Sequence, residues 1–395
     1  MDSLPIEIIK IIVLYEEKSK ISLTSLNKLL YKYRKHFSIN FDYLSLRYNC
    51  YSTEFQIDTL YNVDNLLLSN LNIPYNISDL FLSTIKKEFT KIKFSRRFNQ
   101  KINNLPEYIT DVTFGDSFNQ EINNLSQRIT NLTFGEDFNQ NVDTLPKNIN
   151  YLVFGYEFNQ KVDKLPQNII YLAFGENFNQ DVDNLPKNIK YLIFGFDFNK
   201  KVLTLPENII HLIFGSRFNK KVDNLPMNIT HLKFGFNFNK NVDNLPKSIT
   251  NLTFGYHFNQ NIDALPENIT HLTFGKMFNQ NIDCLPENIT HLTFGQYFNQ
   301  KNIDSLPKKI THLTFKKYFN QRCDKLPESL THLIFGDCFN QPIDKLPENI
   351  THLTLGNNFN QNILDYSFLK NISNLTISKE YYYLKQFQHI TFNFI

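Results

Sequence analysis

The sequence predicts a repeat solenoid, in which short parallel strands of successive repeats form one sheet and the return side contains little helix. Three observations lead to this fold class: a period of 20 residues, a glycine at one position of that period, and a Leu-Pro pair at another. A fixed period of this length is typical of solenoids, whose repeats contact only their neighbours. All twelve glycines occupy the glycine position: Gly115, Gly135, Gly155, Gly175, Gly195, Gly215, Gly235, Gly255, Gly275, Gly295, Gly336 and Gly356.

The strand of each repeat is predicted from an alternating segment that favours β structure. In the repeat at 258–277, this segment reads Thr-His-Leu-Thr-Phe and occupies residues 270–274. Side chains alternate between the two faces of a strand, so we expect Leu272 and Phe274 to point inward. Gly275 is expected to end the strand, because glycine permits a left-handed or closely approaching backbone.

The return side is predicted from the Leu-Pro pair, because proline donates no ladder hydrogen bond and belongs outside a sheet. Twenty residues leave little room for a helix as well, so we expect an extended or 3₁₀-like return. Two columns of phenylalanine, Phe94 to Phe335 and Phe98 to Phe359, are expected to stack in the core. The column from Asn99 to Asn360 is expected to form a ladder of side-chain hydrogen bonds.

The repeat unit resembles a known family. Its pattern is Phe-Asn-Gln-x-Ile-Asp-x-Leu-Pro-x-x-Ile-Thr-x-Leu-x-Phe-Gly, and it is similar to the FNIP repeat, a relative of the leucine-rich repeat. The resemblance implies a solenoid like that of leucine-rich-repeat proteins, although FNIP repeats often run slightly longer than 20 residues. Segments 77–82 and 372–377 resemble degenerate end repeats, which solenoids need in order to cover their terminal cores.

The N-terminal segment differs from the repeats and predicts a small α-helical module. It opens with Leu-Pro-Ile-Glu-Ile, which places proline in the first turn of a helix, and residues 21–31 have apolar side chains at helical spacing. Together with its Ser-Leu-x-x-Leu-Asn-Lys segment, this module resembles an F-box. The resemblance implies a Skp-type adaptor and a cullin ubiquitin ligase as partners. The residues implied to bind the adaptor are Leu4, Pro5, Ile8, Ile9, Ile12, Leu23 and Leu26.

Two interpretations of the function follow from this N-terminal module. In the first, the chain is the substrate receptor of a Skp-cullin-F-box ubiquitin ligase, and the repeats select the target protein. In the alternative, the chain is a non-catalytic repeat scaffold, and the N-terminal helices only cap the solenoid. The predicted divisions are an F-box-like helical module at 1–38, a linker with degenerate capping repeats at 39–88, the repeat solenoid at 89–362, and C-terminal capping repeats at 363–395.

The target-binding surface is predicted to lie where the repeats differ from one another, because the uniform positions are explained by packing. The outward residue between the Ile and Leu core positions of each strand varies along the chain. Tyrosine is large and amphipathic, and it is favoured at contact surfaces. The predicted target-binding residues are Tyr151, Tyr171, Tyr191, His211, His231, His271, His291, His312, His332 and His352.

The histidine column also raises the alternative of a metal site, because strands about 4.8 Å apart bring successive imidazoles close together. No cysteine or carboxylate completes a ligand set in that column, so we expect no metal and no cofactor. A column of aspartates, from Asp143 to Asp344, is predicted to form turns rather than to perform acid–base chemistry. With no nucleophile motif and no phosphate-binding loop in the sequence, we expect no enzymatic activity.

Charge and cysteine content restrict the partners and the compartment. The 41 basic and 38 acidic residues are interspersed and give a formal charge of +3, which argues against nucleic acid and anionic membranes as partners. The four cysteines form no CxxC pair, as suits a reducing compartment. We find no export signal and no apolar stretch of membrane-spanning length. We therefore expect an intracellular protein, cytoplasmic or nuclear.

Overall fold

The described part of the chain is built from one sheet. A computed structural model of the chain describes residues 70–73, 85, 87, 89–103, 105–363, 370–382 and 392–394. These residues contain seventeen strands that all belong to the same sheet. The strands are β1 (Asn70–Ile73), β2 (Lys91–Phe94), β3 (Asp111–Thr113), β4 (Asn131–Thr133), β5 (Tyr151–Val153), β6 (Tyr171–Ala173), β7 (Tyr191–Ile193), β8 (His211–Ile213), β9 (His231–Lys233), β10 (Asn251–Thr253), β11 (His271–Thr273), β12 (His291–Thr293), β13 (His312–Thr314), β14 (His332–Ile334), β15 (His352–Thr354), β16 (Asn374–Ile377) and β17 (Phe392–Phe394).

Each strand pairs in parallel with the strand of the next repeat, from β1 beside β2 to β16 beside β17. The register places equivalent residues side by side, so that Leu272 pairs with Leu252 on one side and Leu292 on the other. The inserted residue near Asn302 does not disturb this register, since Leu292 pairs with Leu313. The predicted parallel solenoid with little helix is therefore confirmed, and equivalent strand residues of successive repeats lie side by side in columns.

The strands of the regular repeats are shorter than the sequence predicts, with three residues where five were expected at 270–274. Within β11, Leu272 is buried at 1% exposure, whereas His271 is exposed. Phe274 follows directly after the strand and is buried, so both predicted inward residues do face the core. A strand this short has one inward side chain, and the turns on either side must supply the rest of the core.

The two predicted phenylalanine columns form that core. Phe254 and Phe274 stack with ring centroids 5.7 Å apart, and Phe258 and Phe278 stack at 6.2 Å. Within one repeat, the rings of Phe254 and Phe258 are 3.7 Å apart and nearly parallel. At the C-terminal end, the buried ring of Tyr381 packs 5.5 Å from Phe359 and closes one column. Two aromatic columns thus run along the solenoid axis, within a core that also contains the leucine, isoleucine and valine side chains of the repeats.

The return side consists of tight turns closed by 3₁₀-type hydrogen bonds, in agreement with the predicted 3₁₀-like return. In the repeat at 258–277, the backbone N–H of Leu265 donates to Ile262 O at 3.4 Å, and that of Ile269 donates to Pro266 O at 3.3 Å. Both bonds join residues three apart, and the proline donates nothing, as its place outside the sheet requires. Helical residues in the described part are confined to 370–371.

The asparagine ladder joins neighbouring repeats as predicted. The side-chain oxygen of Asn239 accepts from the backbone N–H of Asn259 at 3.0 Å and from Nε2 of Gln260 at 2.8 Å. The same pattern recurs along the array and satisfies polar groups of partly buried turns. The aspartates from Asp143 to Asp344 lie in turns, as predicted. Many of their side chains also bond the next repeat, as when Asp143 accepts from Lys164 Nζ at 3.0 Å.

The glycine column is explained by close approach between repeats. A Cβ atom added to Gly275 would overlap the backbone carbonyl of Gly255, and the other members of the column meet their predecessors in the same way. None of the twelve glycines has its φ angle in the left-handed region, so the left-handed explanation is not needed. Of the two reasons for glycine expected from the sequence, close backbone approach is the one that applies.

Two predicted parts of the chain lie outside the described residues. They are the F-box-like helical module at 1–38, with all seven adaptor-binding residues, and the degenerate repeat at 77–82. At the other end, β16 falls within the predicted end repeat at 372–377 and pairs with β15.

Candidate protein-binding surface

The first residue of each regular strand points outward, and these residues form one column on the sheet face. All ten predicted target-binding residues lie in this sheet-face column, in register with one another. The rings of Tyr151 and Tyr171 stack with centroids 4.5 Å apart, and those of Tyr191 and His211 stack at 4.7 Å. Tyr151 and Tyr191 are 38% and 39% exposed, so the column presents aromatic surface without losing its packing.

Five histidines on consecutive strands continue the column, and we call them the histidine ladder. Their ring centroids are separated by 4.2, 4.2, 4.1 and 4.1 Å, with planes tilted by no more than 14°. The members of the histidine ladder are His271, His291, His312, His332 and His352. A separate pair, His211 and His231, stacks at 4.2 Å and is divided from the ladder by Asn251.

Each ladder imidazole is oriented by the threonine that precedes it. The hydroxyl of Thr351 donates to the carbonyl of Thr331 at 3.2 Å and lies 2.9 Å from Nδ1 of His352. The side-chain N–H of Asn374 lies 2.6 Å from Nε2 of the same imidazole. Both contacts are satisfied when Nδ1 carries the proton and Nε2 accepts. The same threonine contact recurs at the other four ladder histidines, so these four offer a row of Nε2 acceptors, while Nε2 of His352 already accepts from Asn374.

The ladder favours neutral histidine. Burial lowers the pKa of His291, His312 and His332, and the neighbouring imidazoles lower it further, because like charges 4 Å apart repel. His211 shows the same direction, from burial first and from His231 second. On Tyr171, burial raises the pKa of the hydroxyl, and the neighbouring Tyr151 adds to the effect. Burial and the neighbouring rings therefore favour the uncharged form of His211, His291, His312 and His332.

Metal coordination has no support in the described residues. No group of three or more His, Cys, Asp and Glu side chains among them is placed to hold an ion. Stacked imidazoles direct their Nε2 atoms side by side rather than toward one point, which explains why five histidines make no ligand set. Burial raises the pKa of the Cys323 thiol strongly, so this cysteine is held as an unreactive apolar side chain.

A second set of surface residues escaped the sequence analysis. It lies in the turn after each glycine, where Tyr156, Phe196, Phe236, Tyr297 and Tyr318 expose more than a third of their surface. These residues lie outside the strands, which were the predicted location of the target-binding surface. The available signal was the same one, because the two residues after each glycine vary widely while the glycine and the phenylalanine around them do not.

The family is settled by the repeats themselves. The FNIP repeat matches most of the chain, at residues 98–126, 141–164, 161–197, 198–235, 220–257, 238–277, 258–283, 278–318, 298–338, 319–345 and 339–380. The chain belongs to the FNIP repeat family. Its FNIP repeats are the units that carry the sheet-face column, so the candidate surface lies within the family domain.

Solved structures place this FNIP repeat protein among leucine-rich-repeat-like solenoids. CroV588, described as a novel circular LRR protein, is 42% identical over 77% of this chain, with a TM-score of 0.71. The match covers 48% of CroV588, so the FNIP chain spans about half the length of that protein. Leucine-rich-repeat-like solenoids are typically non-enzymatic interaction scaffolds with extended binding surfaces.

More distant solenoids are also similar. An internalin (InlF) from Listeria monocytogenes is 14% identical over 76% of this chain and 88% of its own, with a TM-score of 0.46. YopM from Yersinia enterocolitica is 16% identical over 73% of this chain and 64% of its own, with a TM-score of 0.47. No curated protein matches the FNIP chain. Among the described residues, no helix combines the length and the apolar character that crossing a bilayer requires.

Proposed function

We propose that the FNIP solenoid binds a target protein through its sheet-face column. The supporting observation is the run of partly exposed rings at Tyr151, Tyr171 and Tyr191, of which the first two stack and the last two are tilted by 32°, and which backbone register holds in one line. Tyrosine contributes a large amphipathic contact area at a low cost in conformational entropy. Rings already ordered by their neighbours lose still less freedom on binding, which favours a hot spot at this end of the column.

The histidine ladder extends the same surface with a different chemistry. From Tyr151 to His352 the column crosses ten strand spacings, which is about 48 Å. In this proposal the tyrosines bury against apolar side chains of the target, and the neutral ladder accepts hydrogen bonds at Nε2 from the target's donors. The histidine ladder then supplies specificity. A partner whose hydrogen-bond donors do not align with the Nε2 atoms loses the bonds of those donors to water on binding and gains none in return.

We further propose that the chain is the substrate receptor of a Skp-cullin-F-box ubiquitin ligase, acting in the cytoplasm or nucleus. The support is the Leu-Pro-Ile-Glu-Ile opening and the second apolar segment, which resemble an F-box. An F-box would bring the Skp-type adaptor and its cullin ligase to a target held by the repeats. In this role the chain contributes binding and no chemistry. The proposed adaptor contacts are Leu4, Pro5, Ile8, Ile9, Ile12, Leu23 and Leu26.

The adaptor is tested with the purified full chain. Ile8→Glu plus Ile12→Glu should abolish binding of a purified Skp-type adaptor, because a carboxylate placed in an apolar groove is desolvated without a partner. Lys10→Gln plus Lys18→Gln changes the net charge by the same amount and should leave binding unchanged. If the adaptor fails to bind the unmodified chain under conditions that bind a known F-box, the non-catalytic scaffold is the correct function.

The target surface is tested separately. Proteins captured from cells by the full chain should be lost when Tyr151, Tyr171 and Tyr191 are all replaced by alanine, while adaptor binding persists. A matched triple variant, Tyr156→Ala with Leu203→Ala and Met227→Ala, removes exposed apolar surface away from the sheet face. Equal loss of the captured proteins from both triple variants would exclude the sheet-face column as the target site.

A further inference from the structure

The turns at the carboxyl ends of the strands form a second ordered surface. In each repeat, the second residue after the glycine donates its backbone N–H to the first such residue of the preceding repeat. Examples are His257 N to Phe236 O at 3.0 Å, Met277 N to Tyr256 O at 2.9 Å, and Tyr297 N to Lys276 O at 3.0 Å. Turn side chains are therefore held in columns, as the strand side chains are.

Between Phe236 and Tyr318 these turn side chains make a continuous aromatic and cationic surface. The rings of Phe236 and Tyr256 stack 4.4 Å apart, and those of Tyr297 and Tyr318 stack at 5.0 Å. The ammonium of Lys276 lies 5.0 Å from the ring of Tyr256 and 5.8 Å from that of Tyr297. At the end, Lys317 lies 5.5 Å from Tyr318. The aromatic strip is defined as Phe236, Tyr256, Lys276, Tyr297, Lys317 and Tyr318.

The charge of these turns varies along the array, and a stretch of them without carboxylates lies between Asp197 and Asp337. The two positions after the glycine column carry five carboxylates between residues 116 and 176: Asp116, Glu136, Asp137, Glu157 and Glu176. Between residues 216 and 318 the same positions carry lysine, arginine and histidine and no carboxylate. The ammonium groups of Lys276 and Lys317 lie over aromatic rings and make no ion pair with a described carboxylate. The aromatic strip is thus a positive surface inside a nearly neutral chain.

We propose that the aromatic strip binds an extended acidic peptide segment of a partner protein, with an aromatic or aliphatic side chain among its carboxylates. Lysines 276 and 317 would attract the carboxylates, and the exposed rings would cover the apolar side chain. The strip crosses four strand spacings, about 19 Å, which matches roughly six residues of extended peptide. This surface is separate from the sheet-face column and does not depend on it.

The ring geometry favours a peptide over single-stranded nucleic acid. Bases bind such surfaces by stacking on free aromatic faces. Here the rings already stack on each other, and Lys276 lies over two of them. What remains accessible is mainly ring edge, which carries partial positive charge and suits carboxylates.

The experiment uses the full chain and a fluorescently labelled random copolymer of glutamate and tyrosine. Binding is measured by fluorescence anisotropy at low salt, with a lysine–tyrosine copolymer and poly(U) as comparison probes. Lys276→Glu plus Lys317→Glu should weaken binding of the acidic copolymer about tenfold. Lys247→Glu plus Lys308→Glu makes the same charge change at exposed return-side positions and should leave the affinity within about twofold.

A second pair of variants tests the rings. Phe236→Ala should weaken binding of the acidic copolymer, whereas Tyr156→Ala should leave it unchanged. Both side chains are 46% exposed in equivalent turns. The proposal is overturned if the acidic copolymer does not bind, or if both charge-reversal variants lose it equally. It is also overturned if poly(U) binds more tightly than the acidic copolymer and the Lys276→Glu plus Lys317→Glu variant no longer binds poly(U). The ligand would then be a nucleic acid. Sedimentation showing a dimer that those two reversals dissociate would identify the acidic turns of a second copy as the occupant.

Discussion

Leu272 provides a direct test of how the repeats are stabilised. The change Leu272→Ala removes three carbon atoms from a side chain that is 1% exposed. At about 0.8 kcal/mol for each buried methylene, the lost transfer free energy is about 2.4 kcal/mol. Leu252 and Leu292 on the adjoining strands are held in place by the backbone pairing of the sheet and cannot fill the space. The free energy of the resulting cavity therefore adds to this loss. We expect the free energy of unfolding to fall by about 3 to 5 kcal/mol.

Leu203 supplies the matched control, because the same substitution there removes the same atoms from a side chain that is 54% exposed. Leu203→Ala should change the free energy of unfolding by less than about 0.5 kcal/mol. Its backbone N–H, which donates to Asp183, is retained in the variant. Urea unfolding followed by far-ultraviolet circular dichroism measures both changes, and hydrogen exchange at β10 to β12 shows whether the damage is local.

Equal losses for the two leucine variants would refute the reasoning. The inward position of Leu272 and the strand register that places it there would then both be wrong. A loss under 1 kcal/mol at Leu272 alone would instead mean that adjacent repeats move together and close the cavity, which the backbone ladder should prevent.

Two further predictions concern polar columns. Asn239→Ala leaves the backbone N–H of Asn259 and the amide of Gln260 without their acceptor, and it should lower the free energy of unfolding by about 1 to 3 kcal/mol. Asn261→Ala removes the side-chain oxygen that accepts from the backbone N–H of Asp263 in an exposed turn. It should therefore lower the free energy of unfolding by less in the same urea titration. The folded-state pKa of ladder histidines such as His312 lies below the unfolded value of about 6.5, so the unfolded state binds more protons. Stability should therefore be complete above that pH and should fall as the pH drops below it. Replacing the five ladder histidines with asparagine should reduce the change in the thermal unfolding midpoint between pH 7.5 and 5.5. If the midpoint still changes as much with pH, the histidine ladder is not the origin of the pH dependence.

The parallel sheet, the aromatic core and the asparagine ladder could all be predicted because each depends on a residue type that recurs every 20 positions. One repeat then determines the geometry of its neighbours. The choice between the two reasons given for the glycine column could not be made from sequence, because the distance between the Gly275 backbone and the carbonyl of Gly255 depends on how the repeats stack. The 3₁₀-like return could be predicted from the Leu-Pro pair, whereas the pairs of atoms that close its turns, such as Ile269 N and Pro266 O, are seen only in the structure.

The candidate surface was predictable in part for the same reason. The sheet-face column follows from strand alternation, so Tyr151 and His352 could be assigned to one face from sequence alone. The aromatic strip does not follow from alternation. It requires that the turn at Phe236 lie directly beside the turn at Tyr256, which is a consequence of backbone bonds between repeats. Variable turn positions become a surface only when they are brought together in this way.

The in-phase register has a consequence for how such a protein can change in length. Because Leu252, Leu272 and Leu292 occupy equivalent environments, a whole unit such as 258–277 can be lost or duplicated, and the new neighbours meet the contacts that the old ones had. The extra residue near Asn302 is absorbed outside the strands. A residue added within a strand would instead turn the following side chains of that strand to the opposite face of the sheet. Each repeat gained or lost therefore changes the length of the sheet-face column by one strand spacing, about 4.8 Å.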